Sequence, residues 1–220
     1  PETDRNVTSP SVWIVAGEES GDLQGAALAR AIAAIRPDVR LTGLGGSRMC
    51  AAGVALIADP TEHAAMGLFG VLRKLPYFRR LLAGTAGKIL ADPPAAVVLV
   101  DFPEFNMRLA KRVGSGIPVV YYIPPQLWAW REKRVETIRR HVRKVIAIFP
   151  FEETYYRDRG VDCSFVGHPL VEIVARERAD LPIVLEPGRL WIGLLPGSRT
   201  GEFARHWPLF RDAAATLHAR

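Results

Sequence analysis

Two carboxylates three residues apart, Asp101 and Glu104 in Asp101-Phe102-Pro103-Glu104-Phe105-Asn106, close an unbroken Ala/Val/Leu run. A carboxylate at the end of a buried strand can take a proton from a hydroxyl, with its pKa set by burial and neighbours. Its plainer role is to cap the helix that follows or to bind turn amides. A second stretch, Tyr121-Tyr122-Ile123-Pro124-Pro125-Gln126-Leu127-Trp128-Ala129-Trp130-Arg131, starts as a buried strand and breaks at two prolines. It then sets two tryptophans and an arginine on the following loop, where an open α/β sheet holds its ligands. Indoles there offer apolar faces with an N–H handle, although two core tryptophans at a corner would read the same way. In Ala16-Gly17-Glu18-Glu19-Ser20-Gly21-Asp22, glycines at a strand end precede a helix start. The backbone can approach a ligand closely there, but Glu18 and Glu19 speak against a pyrophosphate, and Asp22 is equally a helix cap. Gly43-Leu44-Gly45-Gly46-Ser47-Arg48-Met49 repeats the arrangement, and Gly167-His168-Pro169 puts a histidine at another strand end.

These residues need a frame that brings strand ends together. Ser11–Gly17, Val39–Gly45, Ala95–Asp101, Pro118–Ile123, Val145–Phe149 and Ser164–Val166 read as strands. Between them, Asp22–Ile35, Phe105–Val113, Glu132–Val142 and Phe151–Arg159 read as helices. Continuous apolar strands alternating with helices predict a parallel sheet covered on both faces. Charges and two prolines in 176–189 read as a linker. Leu190–Leu195 then reads as a new strand, ending in Pro196-Gly197-Ser198-Arg199, and 202–220 as a helix that Pro208 kinks or restarts. One strand and one helix cannot bury their own faces. This tail is therefore expected to be the start of a second domain that the sequence does not complete, or to pack on the first domain or on a partner, and Pro1 in place of Met also suggests a trimmed or processed chain.

Composition narrows the classes. The 220 residues are 49% hydrophobic, enough for a sizeable core, with no apolar run of membrane-spanning length and no secretory leader expected. The formal net charge is +6. The excess gathers in 131–144 and around Arg73, Lys74, Arg79 and Arg80, the latter interleaved with Leu72, Phe78 and Leu82. Basic surfaces attract phosphates of any kind, but no nucleic-acid module is recognisable, so no nucleic acid is expected as a partner. Cys50 and Cys163 read as reduced thiols in a cytosolic protein, and no grouping has metal-ligand spacing, so no metal is expected.

Taken in order, these motifs resemble the lipid-A-disaccharide synthase family of GT-B glycosyltransferases. The matching segments include 16–22, Gly45-Gly46-Ser47-Arg48-Met49, Met66-Gly67, 101–106, Trp128-Ala129-Trp130-Arg131, Phe149-Pro150-Phe151-Glu152, Val166-Gly167-His168-Pro169 and 195–199 with Glu202. The resemblance implies a Rossmann-like N-terminal domain over 1–175 and the start of a nucleotide-sugar domain from 190. It implies transfer from UDP-2,3-diacylglucosamine to 2,3-diacylglucosamine 1-phosphate, giving a β-1,6-linked disaccharide 1-phosphate and UDP. No cofactor is implied, and the enzyme would sit on the anionic cytoplasmic face of the inner membrane, with the basic and apolar stretch 68–82 as a lipid-facing element broken by Pro76. Asp101 would be the base and Arg199 would stabilise the departing UDP. Glu18, Ser20, Gly21 and Asp22 would bind substrate, as would Met66, Asn106, Trp128 and Trp130. Arg131, His168 and Ser198 complete that set.

The chain departs from the family pattern at several positions. Pro124 stands for the usual Ser, Glu104 for Asp, and Gly70 for the Glu that commonly follows Met-Gly. With the second domain nearly absent, the chain alone is expected to hold the UDP-sugar poorly and to be inactive. Two alternatives stay open: an isolated acceptor-lipid-binding domain, and another UDP-sugar enzyme of GT-B type.

Overall fold

A computed structural model describes residues 9–61, 68–129, 131–180, 188, 191–197 and 200–218. Seven parallel strands form one sheet: β1 Ser11–Val15, β2 Arg40–Leu44, β3 Ala55–Ala58, β4 Ala96–Val100, β5 Val119–Tyr122, β6 Lys144–Ala147 and β7 Cys163–Phe165. Their order across the sheet is β3-β2-β1-β4-β5-β6-β7. The chain runs outward from β1 to β3, then returns to lay β4 against the free side of β1, pairing Val15 with Leu99. The strand order therefore reverses between β1 and β4, and their carboxyl ends open a crevice there.

The helices are α1 Glu19–Ile35, α2 Ser47–Ala51, α3 Leu68–Ala91, α4 Pro103–Val113, α5 Val135–His141, α6 Pro150–Arg157, α7 Leu170–Asp180 and α8 Thr200–His218, with a 3-10 turn at Glu132–Arg134. The alternation of side chains along each strand sorts the core onto two faces. On one, Trp13, Val15, Leu99, Tyr121 and Val145 meet α3, α4 and α5 through Ile89, Leu109 and Ile138. On the other, Ile14, Val98 and Val100 meet Ala26, Ala29 and Met49 of α1 and α2. Burial on both faces is what permits the Ala-Val-Val-Leu-Val run of β4.

The predicted architecture holds, with differences that have physical reasons. Four elements, the short α2 and β3 and the helices α3 and α7, lie where the sequence reading placed no helix or strand. Pro76 does not interrupt α3, nor Pro208 α8. Both prolines are exposed, so the carbonyl that each leaves without an N–H partner lies on a wet face of its helix. Leu82, expected on a lipid-facing surface, is 6% exposed and belongs to the core, and Phe78 packs against that core. Helix α7 continues five residues into the expected linker, since Arg176-Glu177-Arg178-Ala179-Asp180 is a good helix former despite its charge. Residues 191–197 form no strand, which corrects the expectation for Leu190–Leu195 from residue 191 onward, Leu190 lying outside the described residues: among the described residues no strand neighbours this segment to complete a ladder. Phe203, Trp207, Leu209 and Leu217 of α8 are exposed.

Candidate functional site at the carboxyl edge

The turns after β1 and β4 build the crevice together. Asp101 and Phe102 are both left-handed, with φ of 47° and 49°. Each such non-glycine residue costs roughly 1–2 kcal/mol and persists only where its surroundings hold it. The Asp101 carbonyl accepts from Tyr121 Oη at 2.9 Å and from Asn106 Nδ2 at 2.8 Å. The same amide nitrogen reaches the carbonyls of Val15 and Val100, both at 3.3 Å, so one side chain clasps the ends of β1 and β4. Phe102 stacks on Phe105, ring centroids 5.2 Å apart, and lies against Phe78 at 5.9 Å. A Cβ on Gly17 would stand 2.2 Å from the Phe102 ring, so only glycine lets the first turn press against the second. This clamp leaves the Asp101 carboxylate half-buried at the crevice. Burial first, and the negative charge of Glu18 second, raise its pKa above the ordinary aspartate range.

The other expected site residues divide between this edge and the scaffold. Glu18, just before α1, is near enough to Asp101 for its charge to act there, and exposed Ser20 lies in the first turn of α1. Gly21 is buried and brings α1 close to Ala16 and to the Val100 carbonyl. Asp22 and Asn106 are buried, and their side chains bond to main-chain groups. Asp22 is 3% exposed and accepts from the main-chain N–H groups of Gly46, Met49 and Arg48 at 2.7, 3.0 and 3.0 Å. It thus caps the next helix, α2, rather than its own. Asn106 is 0% exposed. Arg131, left-handed at φ 65°, and Arg134 both pair with Glu104, Arg134 at 2.6 Å. The Arg134 hydrogen bond is the main reason that the Glu104 carboxyl lies below the usual carboxylate range. Trp128 and His168 flank a second cluster with Phe149, Phe151 and Glu152. Met66, Trp130, Ser198 and Arg199 lie outside the described residues.

His168 also edges a groove of about 590 Å³ between α1 and the start of α7. Its floor is the uncovered stretch of the second sheet face, Val98, Val120, Tyr122 and Ile146, and buried Gln24 lies in its wall. Among the described residues no helix is long and apolar enough to cross a membrane.

Two anchoring groups were not singled out from sequence. Tyr121 reads only as a strand residue, since its hydroxyl bond crosses to another strand end. Glu152 did leave a signal: it stands three residues after Phe149 and two after Pro150, the spacing by which a glutamate reaches back to its own helix start.

Seven parallel strands flanked by helices, with the order reversing between β1 and β4, define a Rossmann-like domain whose candidate site is the carboxyl edge around Asp101. The lipid-A-disaccharide synthetase family model matches residues 12–220, and the chain belongs to that family. It is 43% identical to the lipid-A-disaccharide synthase of Geobacter sulfurreducens over 97% of this chain and 57% of that one. It is 42% identical to the enzyme of Myxococcus xanthus over 96% of this chain and 56% of that one. The chain thus spans little more than half the length of these relatives. Among solved structures it is similar to Anabaena HepE in complex with UDP and glucose, at a TM-score of 0.42 and 10% identity over 78% of this chain and 50% of that one.

Proposed function

We propose that this chain supplies the acceptor-facing half of a glycosyltransferase. The whole enzyme would join UDP-2,3-diacylglucosamine to 2,3-diacylglucosamine 1-phosphate. The observation that carries the reading is the Asp101 carboxylate, held at a switch-point crevice in a chain of this family. Asp101 takes the proton of the acceptor's 6-hydroxyl as that oxygen attacks the anomeric carbon of the donor sugar. The new C–O bond forms as the bond from that carbon to the phosphate oxygen breaks, and the electron pair leaves with UDP. A raised pKa makes the Asp101 carboxylate a stronger base than that of a free aspartate. Arg199, at the start of the tail, is proposed to meet the charge that develops on UDP. Release of UDP by a whole enzyme carrying this chain, on mixing the two lipid substrates, tests the reaction. No UDP release from that pair would refute it.

The split between halves has its own test. The 220-residue chain is expected to bind a soluble acceptor analogue more readily than UDP in calorimetry. Tight UDP binding would place the nucleotide site in the sheet domain instead.

We place the anionic cytoplasmic face of the inner membrane against the basic part of α3. Arg79 and Arg80 are exposed there. Reversing both to Glu is expected to weaken binding to anionic vesicles by about tenfold or more, each cation near such a surface contributing about 1 kcal/mol. Co-sedimentation at unchanged circular dichroism reads the effect, and undiminished binding by the folded variant removes α3 from the membrane.

A further inference from the structure

The loop after β5 owes little of its shape to regular structure. It turns at Pro124 and Pro125, where Tyr156 Oη donates to the Pro125 carbonyl at 2.8 Å. It then presents Trp128, 42% exposed, at the edge of the sheet. The indole meets Phe151 edge-on, ring centroids 5.0 Å apart. Its Nε1–H donates to Glu152 Oε1 at 3.3 Å. Glu152 is itself 1% exposed, so it cannot touch a ligand. Its other oxygen accepts from the main-chain N–H groups of Ile148 and Phe149, at 3.3 and 3.2 Å. Phe149 in turn stacks on Phe151 and lies 5.4 Å from the His168 ring. Capping α6 uses Oε2 alone, and the bond from Oε1 to the indole is additional to it. A carboxylate held here against a burial cost therefore links the loop after β5 to the turn after β6.

We propose that Glu152 is a positioning residue that fixes the orientation of Trp128 at the carboxyl edge of the sheet and, through it, the shape of the acceptor's subsite. The last clause rests on the function proposed above; the link between the two side chains does not.

The test uses Glu152→Gln, Trp128→Phe and the pair together. Gln keeps the size of Glu152 but offers one acceptor oxygen and one donor, so it cannot receive both the indole N–H and the two main-chain N–H groups. In a 1H–15N spectrum of the chain, the Trp128 indole signal is assigned among the five tryptophans by its loss in W128F. It is expected to shift in E152Q. An unmoved signal in folded E152Q overturns the proposal. In the whole enzyme each single change is expected to raise the acceptor KM about tenfold, on the scale of one such hydrogen bond, with kcat within about twofold. The double variant should be no worse than the worse single one, because both act through one contact. Effects that multiply would mean that Glu152 acts only by holding its own helix, and would overturn the proposal. Should E152Q fail to fold, W128F decides alone: it leaves the α6 cap intact and must raise KM at unchanged Tm, and an unchanged KM overturns the proposal. The spectrum needs no substrate. An enzyme that used a different acceptor would therefore leave the indole result standing and remove only the subsite assignment.

Discussion

Asp101→Asn in the whole enzyme is expected to lower turnover by about a hundredfold or more, the scale of losing a general base, in a protein that folds at least as well as its parent. The second half of that expectation follows from the pKa. Burial, then Glu18, raise Asp101 in the folded chain. A group with a raised folded pKa contributes stability in full below its unfolded pKa and loses it as pH rises through the folded value. The ionised form of the carboxylate therefore weighs against the fold. Asparagine removes the charge, suits the left-handed backbone and leaves the main-chain carbonyl bonds in place. Thermal unfolding should show D101N equal to or above the parent at neutral pH, with the difference shrinking in mild acid as the parent's carboxyl takes up its proton. Near-normal turnover would remove Asp101 from the role of base. A marked loss of stability at neutral pH would show instead that the carboxylate holds the turn.

Asn106→Ala should act in the opposite sense, through the fold. Its amide serves three carbonyls, those of Val15, Val100 and Asp101, at the closed end of the crevice. Tyr121 still reaches the last of them, but the other two lose this side-chain donor in a buried setting. A loss of about 2–4 kcal/mol is expected by denaturant unfolding, given the cost of orphaned buried acceptors. Turnover should fall with it, because the left-handed pair Asp101-Phe102 loses a restraint. A variant as stable as the parent would mean that water or a main-chain shift replaces the amide.

How far the sequence could be read depended on distance along the chain. Strands such as Ala96–Val100 and Val119–Tyr122 lay within a residue or two of their expected bounds, because a strand buried on both faces leaves a continuous apolar run. Ala55–Ala58 was too short to stand out in that way, and the five-residue helix before it had no apolar period to display. Helices α3 and α7 were not read either: Pro76 and mixed basic and apolar residues obscured the first, and Arg176–Asp180 carries the composition of a linker and the propensity of a helix. Of the crevice, the positions of Glu18 and Asp101 were legible from the rule that ligands meet strand ends. The sequence pointed to Asp22 and Asn106 as well but not to their partners, and only the fold shows that those partners are main-chain groups. Leu82 shows the same limit, because a Leu beside Arg79 and Arg80 looks like a surface residue until the helix is set on the sheet.

The return of the chain from β3 to β4 also sets an order of assembly. Everything from β1 through α3 is synthesised before the strand that must fill the other side of β1. Until Ala96–Val100 arrives, one whole edge of Ser11–Val15 has no ladder partner. An unpaired edge of this kind invites pairing with other chains, and joining two strands so far apart in sequence is slow. The crevice between the ends of β1 and β4 cannot exist in that interval, because one of its two walls has not yet been made. Premature termination ahead of β4 should thus leave an aggregation-prone stub, whereas chains ending beyond β4 have this edge of β1 closed.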